Sequence, residues 1–148
     1  MAFRFALAPV LRLRQSLEKQ RAQRLQQATL AVVRAREAVA AMESALVDLA
    51  RSGEQSLRIG QSGAELQFSL IVRRNMLSRQ QQLQTGLENL EVERKAAAAE
   101  YQRAYREREV LETLATQQHH AYHQEQLQSE QRELDASHLL QLWRKRLG

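Results

Sequence analysis

The chain has 148 residues, 43% of them hydrophobic but only 5% aromatic, and carries a net charge of +5. Ala, Leu, Arg, Gln and Glu dominate, with one Pro and five Gly, which is the profile of long helices rather than of a compact core. The absence of Cys excludes disulfides, thiol chemistry and a cysteine-type zinc site.

The first stretch, Phe5 to Leu11, is apolar but is closed by Arg12 and Arg14 and is too short to span a membrane. Ala6-Leu7-Ala8 matches a signal-peptidase site superficially, but no apolar region precedes it, so a cytoplasmic chain without a cleaved signal is expected. Pro9 suits the first turn of a helix, where its missing N–H is not needed. Nothing breaks that helix until Ser52-Gly53, so helix 1 is predicted at about 9–51.

Leu25, Ala28, Val32, Ala35, Val39, Met42, Leu46 and Leu49 follow one another in steps of 3 and 4. This is the a/d stripe of a coiled coil, and it requires a partner helix. Upstream, Val10, Leu13 and Leu17 fit the pattern only through a four-residue stutter at Arg21, which predicts local unwinding.

Three of the five glycines, Gly53, Gly60 and Gly63, fall close together, and a connector is predicted over 52–61. Ser62-Gly63-Ala64-Glu65 fits a capping box that opens a second helix over about 63–146. Its stripe reads Leu83, Leu87, Leu90, Arg94, Ala97, Tyr101, Ala104, Arg108, Leu111, continued upstream through Gln80, Met76, Arg73 and Leu66.

A short connector makes the two helices antiparallel. The predicted fold is therefore all-α: one coiled-coil domain, a long antiparallel two-helix hairpin with a longer C-terminal helix. In the expected register Leu49 meets Leu66, Val39 meets Met76, Val32 meets Leu83, Ala28 meets Leu87 and Leu25 meets Leu90, with Arg94 near Arg21. Helix 1 is then exhausted by about residue 108, and residues 112–147 project without a partner. A polar helix of that kind is marginal in water unless something covers it.

Candidate chemistry is sparse. His119 and His123 are spaced i, i+4 and can share a divalent ion, but no carboxylate or third histidine completes a site, and a solvated face is the simpler reading. The acidic residues are partners for Arg at i, i+4, as Glu107 is for Arg103. No catalytic constellation, phosphate loop or cofactor fingerprint occurs, so neither enzyme activity nor a cofactor is expected.

Residues 1–36 hold seven Arg and one Lys against one acid, Glu18. This excess suits nucleic acid or an anionic membrane. The Arg residues are spread around the helix without interleaved aromatics, however, so a solvated face or a docking surface for an acidic protein groove is favoured and no nucleic acid is expected.

The ends carry a recognisable pattern. The opening FRFALAPVLRLR, with Phe3, Arg4, Phe5, Leu7, Val10, Leu11 and Arg14, resembles the start of FliJ proteins of the flagellar type III export apparatus. Glu130-Gln131-Arg132-Glu133-Leu134-Asp135 resembles that family's E-Q-x-x-L-D segment, although Ala136 stands where the family often has an acid. The resemblance implies a non-enzymatic stalk that sits in the pore of the hexameric export ATPase, promotes ring formation, contacts the membrane export gate and escorts export chaperones, at the inner face of the cell membrane. It points to Phe3, Phe5, Leu7, Leu11, Arg14, Leu134 and Asp135 as ring-facing. Leu46, Leu49, Phe68 and Ile71 are gate-facing candidates from their location near the connector alone. A basic nucleic-acid-binding coiled coil and the stalk of a virulence-type secretion system are the alternatives.

Overall fold

A computed structural model describes residues 2–148. It contains two helices, α1 (Ala8–Ile59) and α2 (Gly63–Leu147), joined by a three-residue connector, and no strand among the described residues. The fold is the expected all-α antiparallel hairpin with a longer second helix. The chain divides into two compact units: one is Gln20–Gln102, and the other is the chain up to Lys19 with Arg103–Gly148.

The Gln20–Gln102 unit contains the apolar core. Val32, Val39 and Leu87 are buried as one cluster, with Ala35, Leu83 and Leu90 packed against it. The whole predicted stripe of α1, Leu25 to Leu49, is buried or half-buried. It does not end there. Gly53 and Ser56 continue the same steps as half-buried positions, and α1 runs to Ile59 instead of stopping at Ser52-Gly53.

The helix stops where a left-handed residue is needed. Gly60 has φ of 101° and its amide donates to the Ser56 carbonyl at 2.9 Å. Only glycine adopts that conformation without strain, which makes Gly60 the terminator and leaves Gly53 an ordinary helical residue. The predicted cap of α2 is present: the Glu65 amide donates to the Ser62 hydroxyl at 3.2 Å.

The longer α1 changes the register. Arg21 pairs with Glu100 at 3.0 Å, not with the neighbourhood of Arg94, and Arg36 pairs with Glu91 at 3.0 Å. Leu87 and Leu90 lie beside Val32 and Val39 rather than Ala28 and Leu25. Relative to the expected pairing, α2 is displaced by about seven residues, one heptad. The seam also runs through Val72 and Ser69, both half-buried, instead of Arg73 and Leu66, which are exposed. Both ion pairs are solvent-exposed and contribute at most about 1 kcal/mol each, so the apolar cluster dominates the energetics.

In the other unit the seam mixes charged with apolar residues: Leu11, Leu17, Leu111 and Leu114 are half-buried beside Arg14, Glu18, Arg108 and Glu112. Leu11, Arg14, Glu18, Arg21 and Leu25 step by 3 and 4 along α1 as half-buried positions, so no stutter occurs. Val10 and Leu13, expected in the seam, are exposed. Arg14 pairs with Glu107 at 2.6 Å, and Arg108 pairs with Glu18 and, at 2.5 Å, with Glu112. Gln15 adds a weaker hydrogen bond to Glu112. The hydrogen bond with Glu112 is the main influence holding the Arg108 guanidinium above its ordinary pKa, aided by the charges of Glu18 and Glu112 and opposed by burial. Ala104 is the buried apolar residue here, and Tyr105 carries the Arg108 guanidinium 4.9 Å from its ring centre.

Candidate partner-binding site

The N-terminal residues before α1 are not a free arm. Phe3 packs its ring edge-on against His119, with centroids 5.1 Å apart, and lies 5.4 Å from the ring of Tyr122. Phe5 is half-buried, and the Phe5 carbonyl accepts from the Ala8 amide at 3.1 Å, turning the chain into α1. His119 therefore has an aromatic neighbour and is not simply a solvated face. Among the described residues no group of three or more His, Cys, Asp or Glu is placed to hold a metal.

An aromatic contact of this kind is worth about 0.5–1.5 kcal/mol beyond its buried area. Phe3→Ala is expected to release the segment: trypsin cleavage after Arg4 accelerates several-fold, while the main thermal transition moves little. Equal cleavage of the two proteins shows that Phe3 does not hold the segment.

The expected ring-facing residues divide into two kinds. Phe3, Phe5, Leu11 and Arg14 are half-buried, and Arg14 is committed to Glu107. Leu7, Leu134 and Asp135 are exposed, and Asp135 accepts from the Gln131 amide group at 3.2 Å. Leu134 lies twelve residues beyond Tyr122 on α2, about 18 Å along the helix. The covered part of α2 extends to Tyr122 rather than ending near residue 111.

The uncovered tail begins at His123, and every residue from there to Gly148 is exposed. Over its last three turns Ala136, Leu139, Leu140, Trp143 and Leu147 fall on one face at helical spacing. Trp143 is 66% exposed. This stripe is legible in the sequence once the tail is known to be helical to its end.

The gate-facing candidates also divide. Leu46 and Leu49 are half-buried in the seam, whereas Phe68 is 69% and Ile71 58% exposed. Around them Leu57, Ile59, Leu66 and Leu70 are exposed as well, a set that the sequence reading missed. The signal was available: the seam positions here are Gly53, Ser56 and Ser69, so the large apolar residues between them must face outward.

A family model described as flagellar FliJ protein matches residues 3–147. The chain belongs to the FliJ family. The match takes in Phe3 and the exposed tail together, and it makes the chain a flagellar export-related protein. No curated protein and no solved structure matches it. Among the described residues no helix is long and apolar enough to cross a membrane. Of the basic residues near the start, Arg14, Arg21 and Arg36 are neutralised by glutamates of α2, which weakens the case for a phosphate-binding surface.

Proposed function

We propose that the chain is a non-enzymatic stalk and adaptor of the hexameric flagellar export ATPase, promoting assembly of the ATPase ring and coupling it to the cytoplasmic domain of the membrane export gate. The observation that carries this reading is the tail from His123 to Gly148, a helix with an apolar stripe and no partner among the described residues. A helix of that composition is marginal alone and gains stability from a surrounding protein surface.

In this reading Leu7, Leu134 and Asp135 meet the ring, while Phe3, Phe5, Leu11 and Arg14 brace the segment that presents them. Phe68 and Ile71 meet the gate, supported from the seam by Leu46 and Leu49. Empty export chaperones are handed on by the same adaptor, which works in the cytoplasm at the inner face of the membrane. The flagellar family match favours this system over a virulence-type one.

The test is direct. The purified chain is mixed with its cognate ATPase, and hydrolysis rate and ring formation are measured. Both are expected to rise; no change in either overturns the proposal.

A further inference from the structure

Within the Gln20–Gln102 unit the last two turns of α1 bury almost nothing. From Gly53 to Ile59 only Gly53 and Ser56 are even half-buried, while Leu57 is 63% and Ile59 87% exposed. Their helical state rests on backbone hydrogen bonds and on the Gly60 terminator rather than on packing. Unwinding this segment therefore costs little apolar burial.

Two stop signals flank it, one heptad apart. Gly60 serves as the stop in the structure. Gly53 has nothing within 4 Å of where a Cβ would sit, so its lack of a side chain meets no packing need. A glycine inside a helix costs about 1 kcal/mol relative to alanine, and the same residue is suited to end one.

The seam tolerates the corresponding slide. Because the apolar positions from Leu25 to Val39 repeat every seven residues, moving α1 one heptad along α2 leaves them in the seam. Val32 then faces Leu83, Val39 faces Met76, Ala28 faces Leu87 and Leu25 faces Leu90. Arg21 gives up Glu100 and finds Glu93, one heptad earlier on α2. What is lost is the exposed Arg36–Glu91 pair, the unpacked helical turns after Gly53 and, in the other unit, the Arg14–Glu107 and Glu18–Arg108 pairs and the contacts of Phe3; Arg14 finds Glu100, one heptad earlier on α2.

We propose that this hairpin is a two-register device: α1 slides one heptad, about 10 Å, along α2, as its terminus moves from Gly60 to Gly53. A partner that grips Leu57 and Ile59 on the helical segment holds the register of the structure. One that needs the segment unwound selects the other, since a ligand shifts such an equilibrium only through its differential affinity. The inference stands independently of which protein the chain serves.

The chain contains no cysteine, so the register is read by introduced pairs. Gln80→Cys with Met42→Cys reports the register of the structure, and Gln80→Cys with Ala35→Cys reports the slid one. A disulfide needs Cα atoms within about 7 Å, which a heptad displacement violates. In a glutathione redox buffer both pairs are expected to form in the full chain, with the 42–80 pair in excess. Gly53→Ala shifts the ratio of the two about fivefold toward 42–80, the difference in helix propensity between the two residues. Gly60→Ala, which forces a side chain onto a left-handed backbone, shifts it toward 35–80. Circular dichroism confirms that each variant is helical. A 35–80 pair that stays reduced in every background, or a ratio that neither glycine substitution moves, overturns the proposal.

Discussion

Leu87→Ala is expected to destabilise the hairpin by about 2–3 kcal/mol and to lower its thermal midpoint by roughly 6–12 °C. Leu87 is one of the three buried members of the apolar cluster, with 8% of its surface exposed. Two helices have no third layer that can move in to fill the void, so the lost contacts are not recovered. Leu70→Ala is the control: Leu70 is 57% exposed, and its replacement changes stability by less than about 0.5 kcal/mol. Thermal unfolding followed by circular dichroism distinguishes the two. A Leu87→Ala protein that melts with the parent shows that the cluster does not hold the helices together.

Truncation after Tyr122 is expected to separate fold from function. The removed residues are all exposed and bury nothing of the hairpin. The shortened chain keeps its thermal midpoint within a few degrees, and it loses helical signal in proportion to the residues removed. Its stimulation of the export ATPase falls by about tenfold or more, the scale of losing the few anchors that dominate an interface. Trp143→Ala in the full chain is expected to account for a large share of that loss, as an exposed aromatic on the apolar stripe. Unimpaired stimulation by the truncated chain removes the tail from the ring contact.

Much of this architecture is legible in the residues. The stripe from Leu25 to Leu49 announces one partner, the Ser62 cap marks where α2 begins, and the connector between them leaves only an antiparallel arrangement. The register is not legible, for a physical reason. A heptad repeat is indifferent to displacement by one heptad, and Gly53 and Gly60 each offer a stop compatible with one of the two pairings. What decides is which glycine takes positive φ, a backbone property that composition does not carry.

The charged seam was hidden for a related reason. Val10, Leu13 and Leu17 look like the obvious interior, yet the steps followed by α1 put Arg14 and Glu18 inward and leave Val10 and Leu13 outside. A lone charge in a seam is costly. Arg108 between Glu18 and Glu112, and Arg14 against Glu107, offset that cost by pairing. For the partner-facing residues, exposure separates presenters such as Leu134 and Phe68 from braces such as Phe3 and Leu49. No motif distinguishes those roles, because each depends on what the rest of the chain covers.

That ionic seam has a consequence for handling. Two helices joined by oil expose a sticky surface when they part, and so risk clumping. Helices joined by Arg14, Glu18, Glu107, Arg108 and Glu112 expose instead groups that water readily solvates. Parting this unit uncovers those charges together with Leu11, Leu17, Leu111 and Leu114, a surface that water solvates better than an all-apolar seam of the same length.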